Sequence, residues 1–207
     1  MKSPPTFAVL DFETTGLSPN QGARPTEIAV VLVQGEVIVD RYQSLMNAGV
    51  PVPWDIQQLT GISNEMVRKA PGVAAVMREA AEFVGVHPPV AHNAAFDSKF
   101  WGAELARIEK PCHHEFVCSM LLARRLFPHT GNHRLGTLVQ MLSLPKTGTF
   151  HRALADAEAT THLLLRIQHE LRSRYGVAEP GHALLRVLQK AKMAQVEAVI
   201  HRHQSVG

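Results

Sequence analysis

Short unbroken apolar runs alternate along the 207-residue chain with longer stretches in which apolar residues return every three or four positions. The runs at 7–10 (Phe-Ala-Val-Leu) and 89–91 (Pro-Val-Ala) read as buried strands. Residues 27–34 and 36–45, joined at Gln34-Gly35, predict an antiparallel hairpin beside the first strand. Helical spacing predicts helices at 73–84, 94–107, 120–126 and 135–142, and a long one from about 153 to 174 with Leu163, Leu164 and Ile167 on its apolar stripe. Residues 51–61 form a proline-rich connection with one short helical turn, and Ser63 is expected to cap the helix that follows. A three-stranded antiparallel unit followed by strands alternating with helices predicts an α/β fold.

Beyond 175, Gly-Val-Ala-Glu-Pro-Gly at 176–181 breaks the pattern. The expected division is a domain over 1–175 and a helical extension over 176–207. Within the extension Leu185, Leu188, Val196 and Val199 share one face, with Arg186, Lys190 and Lys192 around it. That face is expected to pack back on the domain. The alternatives are docking to a polymerase subunit, to a second copy as a homodimer, or to nucleic acid.

Four carboxylates beside buried-strand or helix-start sequence change the picture: Asp11 and Glu13 in Asp-Phe-Glu-Thr-Thr-Gly, Asp97 in His-Asn-Ala-Ala-Phe-Asp, and Asp156 in His-Arg-Ala-Leu-Ala-Asp. Residues two apart on a strand share a face, so Asp11 and Glu13 project together while Phe12 turns to the opposite side. Acids so costly to desolvate need a positive collector, and a pair of hard divalent cations with oxygen ligands is the obvious one. His151 lies five positions before Asp156, about 140° around a regular helix, which places it on the 147–150 loop at the helix start. A histidine there suits a general base. The Thr14-Thr15-Gly16 turn is expected to leave backbone N–H groups free for a phosphate or a terminal hydroxyl.

The formal charge is only +3, but with four acids committed to cations, 21 basic residues face the 14 remaining acids, an excess that suits a polyanionic substrate. Two cysteines, no charged-then-apolar leader and no apolar run of membrane length predict a soluble, cytoplasmic protein with no membrane association. Cys112, His113, His114 and Cys118 lack the paired Cys-x-x-Cys spacing of structural zinc sites. His92 is expected to be structural, and Trp54 and Trp101 to lie in the core or on a pocket rim.

Asp-Phe-Glu-Thr-Thr-Gly at 11–16, Leu-Thr-Gly-Ile at 59–62, His-Asn-Ala-Ala-Phe-Asp at 92–97, Leu-Ala-Arg-Arg-Leu-Phe-Pro at 122–128 and His-Arg-Ala-Leu-Ala-Asp-Ala at 151–157 occur in one order. The chain thereby resembles the DEDDh branch of the DnaQ-like 3′–5′ exonucleases, the family of the epsilon proofreading subunit of bacterial DNA polymerase III. The resemblance implies a ribonuclease-H-like mixed five-stranded sheet flanked by helices. It also implies two Mg²⁺ or Mn²⁺ ions held by Asp11, Glu13, Asp97 and Asp156, with His151 as general base and a 3′-terminal nucleotide pocket formed by Thr14, Thr15, Leu59, Thr60, Asn93 and Phe96. Ala48 and Cys118 depart from the family pattern, at positions that are not ligands in it. The implied activity is release of nucleoside 5′-monophosphates from the 3′ end of single-stranded DNA, in proofreading or repair. The alternatives are an RNA-trimming exoribonuclease of the oligoribonuclease or RNase T kind, and a non-catalytic nucleic-acid-binding or polymerase-accessory module.

Overall fold

The computed structural model describes residues 4–148 and 151–205. Its centre is a five-stranded sheet in the order β3-β2-β1-β4-β5, formed by β1 (Thr6–Thr14), β2 (Pro25–Gln34), β3 (Val37–Leu45), β4 (Pro89–Ala91) and β5 (Val117–Cys118). The first three strands are antiparallel, β4 runs parallel to β1, and β5 parallel to β4. The predicted mixed five-stranded sheet is therefore present, and the hairpin turns at Gly35 with φ +61°, a backbone conformation glycine adopts without strain. The first strand is longer than its apolar run, because pairing with β2 carries it to Thr14 and places Asp11 and Glu13 inside the ladder.

Helices α1 (Trp54–Thr60), α2 (Asn64–Lys69), α3 (Val73–Val84), α4 (Ala94–Arg107), α5 (Ser119–Leu126), α6 (Leu135–Met141) and α7 (Ala153–Tyr175) follow, then α8 (His182–Leu188) and α9 (Val196–Gln204). Ser63 caps α2 as expected, its hydroxyl accepting from the Met66 N–H at 3.2 Å.

Strand alternation sorts the core into two layers. Phe7 and Val9 of β1, with Ala29, Val31 and Val33 of β2, pack against α5, α7 and α8, while Ala8, Leu10 and Phe12, with Ile28 and Val30, pack against α3 and α4. Asp11 and Glu13 continue the first of these faces and so point to the α7 side. Phe12 turns the other way and lies 6.5 Å from Trp101, which is fully buried and donates its indole N–H to His114 Nδ1 at 3.3 Å. Trp54 departs from expectation: at 74% exposure it belongs neither to the core nor to the lining of the cleft described below, because it sits on the solvent side of the seven-residue α1.

The C-terminal segment packs back as expected, burying Leu184, Leu185, Leu188, Val196 and Ile200 in the α7-side layer, with Val199 partly buried. The helical extension consists of two helices with a break between them. The break falls where the Gln189 side chain accepts from Cys118 N–H at 2.6 Å and donates to the Phe116 carbonyl at 3.2 Å, covering the outer edge of β5 as a further strand would. The Ala191 carbonyl is held by Arg125 Nε at 3.1 Å.

Candidate active site

All of the sequence-predicted site residues line one cleft of about 620 Å³: Asp11, Glu13, Asp97, Asp156 and His151 at its floor and mouth, with Thr14, Thr15, Leu59, Thr60, Asn93 and Phe96 along its walls. Four elements bring them together. β1 carries Asp11 and Glu13 on one face. β4 pairs with β1 only as far as Val9↔Val90, and beyond that point the Phe12 N–H is taken by Asp97 Oδ1, from the first turn of α4, at 3.2 Å. Asp156 lies in the first turn of α7, and its Oδ2 accepts the His151 N–H at 3.1 Å. Leu59 and Thr60 come from α1.

Asp97 and Glu13 are buried, Asp11 and Asp156 are partly covered, and His151 is exposed. Desolvation raises every carboxyl of the group. Burial, then the charges of Asp97, Asp156, Glu13 and Glu27, push Asp11 well above the carboxylate range. Burial and the charge of Asp156 take Glu13 to about 8. Burial takes Asp97 to about 7 against the opposing Phe12 N–H, and raises Asp156 against the opposing His151 N–H. Four acids that repel one another at this depth have the chemistry to hold divalent cations, whose charge would offset both the burial and the repulsion. Two further observations bear on a cation. One atom each of Glu13, His151 and Asp156 lie within 4.8 Å of one another, a grouping that leaves out Asp11 and Asp97. Asp156 Oδ1 is buried with no hydrogen-bond partner among the described residues.

His151 has φ +64°, as does Asn93, and left-handed backbone at non-glycine residues tends to mark functional positions held by their surroundings. Thr149 and Phe150, on the loop expected to carry His151, lie outside the described residues. One expectation about the turn is corrected. The Thr15 N–H is not free for a phosphate, because β2 pairing continues into the turn and it donates to the Arg24 carbonyl at 2.8 Å. The hydroxyls of Thr14, Thr15 and Thr60 are engaged internally, with the Gly16 carbonyl (2.7 Å), the Arg24 N–H (2.9 Å) and the Ile56 carbonyl (2.8 Å), so these threonines shape the wall through their backbone and methyl groups.

His92 is structural as expected. Its Nε2 faces the His133 carbonyl at 3.0 Å, which only accepts, so Nε2 carries the proton and Nδ1 accepts from the Ser119 hydroxyl at 2.9 Å. Burial holds it near 4, and it stays neutral. Cys112 is exposed and Cys118 is buried in β5, and among the described residues the Cys112–Cys118 region gathers no metal-ligand group.

Sequence reasoning missed Glu27 and Arg24. Glu27 is fully buried and accepts from Arg152, Ala153 N–H and Gln43. Arg24 grips buried Glu104 of α4 through two bonds of 2.8 and 3.0 Å while its backbone holds Thr15. The signal for Glu27 was present, since it is the one charged residue in β2 and directly precedes the apolar run Ile28–Val33. Leu17, 82% exposed, also lines the cleft and was not singled out.

Comparison with known proteins agrees with this geometry. Residues 8–164 match the RNase_T family, described as exonuclease. DNA polymerase III subunit epsilon of Aquifex aeolicus is 31% identical over 188 residues, spanning 90% of this chain and 91% of that one. The PolC-type DNA polymerase III of Bacillus cereus is 41% identical over 164 residues, covering 78% of this chain, which spans only 11% of that relative. Among solved structures, exonuclease X in complex with 5′-overhanging duplex DNA superposes with a TM-score of 0.66 at 28% identity, over 87% of this chain and 99% of that one. The nuclease domain of 3′hExo, a DEDDh family member bound to rAMP, has a TM-score of 0.70 at 17% identity, over 81% of this chain and 93% of that one, and so shares the fold. With its three acidic segments and His151 gathered in one cleft, the chain belongs to the exonuclease family, in its DnaQ-like DEDDh branch.

Proposed function

We propose that the protein is a metal-dependent 3′–5′ exonuclease that releases nucleoside 5′-monophosphates from the 3′ end of single-stranded DNA, in proofreading or repair. The observation that carries this reading is the meeting of Asp11, Glu13, Asp97, Asp156 and His151 in a cleft open to solvent. The four carboxylates would hold two Mg²⁺ or Mn²⁺ ions. Such a pair, when bound, stabilises charge on both the attacking and the leaving oxygen of a phosphodiester displacement.

The chain's own groups do the rest. A ring nitrogen of exposed His151, at the cleft mouth, takes the proton of the attacking water. The Thr14-Thr15 backbone, Thr60 and Asn93 shape the seat of the terminal nucleotide. Phe96 and Leu59, the latter 53% exposed, offer apolar surfaces to its base, and such contacts are tolerant of base identity, as terminal trimming requires. The buried Asp97 and Glu13 side chains are less screened by water than the exposed groups at the mouth of the cleft.

The exonuclease domain is assigned to 1–175 and the extension to 176–207. A polymerase partner is supported by the identity to a polymerase III subunit. The inner face of the extension is already buried, so a polymerase or a second copy would meet its outer face. No helix among the described residues is long and apolar enough to cross a membrane. A cytoplasmic location belongs to the same proposal. A time course on matched 5′-end-labelled DNA and RNA with Mg²⁺ or Mn²⁺, against an EDTA control, tests the substrate. A ladder on DNA supports the reading, and a ladder on RNA alone moves the protein to RNA trimming.

A further inference from the structure

We propose that the ion pair between buried Glu27 and partly exposed Arg152 is the latch that positions His151 for proton transfer, which makes Glu27 and Arg152 positioning residues of the reaction. The inference rests on the reading of His151 as general base.

Glu27 sits on β2 directly across from Glu13 on β1 and is fully buried. A carboxylate at such a depth is tolerated only when its oxygens are filled with donors. Here Oε1 accepts from Arg152 Nη2 at 2.8 Å and from Gln43 Nε2 at 2.8 Å, and Oε2 accepts from Arg152 Nε at 3.2 Å and from the Ala153 N–H at 3.0 Å. Three of those four donors belong to the two residues that follow His151.

Ala153 opens α7, and its N–H is one of the donors a helix leaves without an intrahelical partner. Arg152 stands at the capping position and supplies no side-chain cap of its own. The cap comes from Glu27, 126 residues away in sequence, and it fixes both the height and the rotation of the helix start against the sheet. The His151 backbone is then fastened on its other side, its N–H bonded to Asp156 Oδ2. Its ring has no hydrogen-bond partner among the described residues, so what the latch fixes is the backbone, at φ +64°, and with it the Cα–Cβ direction from which the imidazole extends.

The Arg152 side chain, 39% exposed, reaches solvent and leaves room for substitution without opening the core.

The test is a double-mutant cycle on the full chain, with single-turnover hydrolysis of 5′-labelled single-stranded DNA in Mn²⁺ and far-ultraviolet circular dichroism as the folding control. Arg152→Ala is expected to slow the chemical step by about tenfold to a hundredfold, the size of loss a misplacement near 1 Å produces, with KM and Mn²⁺ affinity within about threefold of native. Arg152→Lys, which keeps one bond and the charge, recovers most of that loss, and Glu27→Gln follows Arg152→Ala if it folds. Because the latch acts through His151, His151→Ala/Arg152→Ala is no slower than His151→Ala alone. If the two losses multiply, or if Arg152→Ala changes KM and not the chemical step, the latch is overturned. A His151→Ala enzyme as fast as native would instead overturn the assignment of the base.

Discussion

Glu13 and Glu27 face each other in register across β1 and β2, and the protein shifts their carboxyls in opposite directions. Burial and the neighbouring Asp156 push Glu13 up to about 8. Burial also acts on Glu27, but the Arg152, Ala153 and Gln43 hydrogen bonds outweigh it and hold the group below the ordinary value. One glutamate is an anion with both oxygens bonded to donors, and the other faces the acidic group, where only the Arg152 charge favours its ionisation.

A stability-versus-pH profile follows. Asp97 and Glu13 have folded-state pKa values near 7 and 8, above their unfolded values, so the stability they contribute is full at acid pH and is lost as pH rises through those values. In EDTA the melting temperature should fall between about pH 5.5 and pH 8.5 by roughly 4 °C or more, each kcal/mol being worth about 2–4 °C in a chain of this size. Added Mg²⁺ or Mn²⁺ should restore most of the loss at the alkaline end. A flat EDTA profile would contradict the crowding of these acids.

The His92 contribution has the opposite sign. Its folded pKa of about 4 lies below the unfolded value, so stability is lost as pH falls from about 6.5 through 4. His92→Asn should flatten the acid limb of the melting profile, and an unchanged limb would argue against the buried neutral ring.

Arg24 and Glu104 tie the Thr15 turn to α4, the helix that carries Asp97. Glu104→Ala should cost about 3 kcal/mol, the low end for breaking a buried pair because Arg24 retains some exposure. KM for single-stranded DNA should rise more than kcat falls, since the loosened wall belongs to the nucleotide seat. Urea unfolding and steady-state kinetics on the same variant check both.

Truncation after Tyr175 would strip Leu184, Leu185, Leu188, Val196 and Ile200 from the α7-side layer. At about 1.5–3 kcal/mol for each buried side chain, the loss approaches the whole stability of a domain. The 1–175 fragment should therefore lack a cooperative melting transition. A fragment that melts cooperatively near the native temperature would show the extension to be dispensable.

The acids were legible because period-two alternation and short-range helix position are local properties. Asp11 and Glu13 share a face whatever else the chain does, and Ala94–Arg107 and Val73–Val84 end where the pattern ends. Glu27 was visible only as an oddity in β2, since the partner that explains it lies 125 residues further on. The break after α8 was hidden for the same reason: the apolar face of 182–203 continues across it, and what interrupts the helix is Gln189 bonding to a strand 71 residues earlier. Trp54 was misjudged on residue type alone, on a helix too short to show which side faces out.

The most direct test of the central claim is single-turnover hydrolysis of 5′-labelled single-stranded DNA in Mn²⁺ by native protein and by Asp11→Ala, with melting in EDTA measured on both. The native protein should shorten the strand stepwise from its 3′ end. The variant should show no hydrolysis above background while melting at or above the native temperature, because one of the crowded carboxylates has been removed. An Asp11→Ala protein that is folded and degrades the strand at the native rate would contradict the assignment of the site.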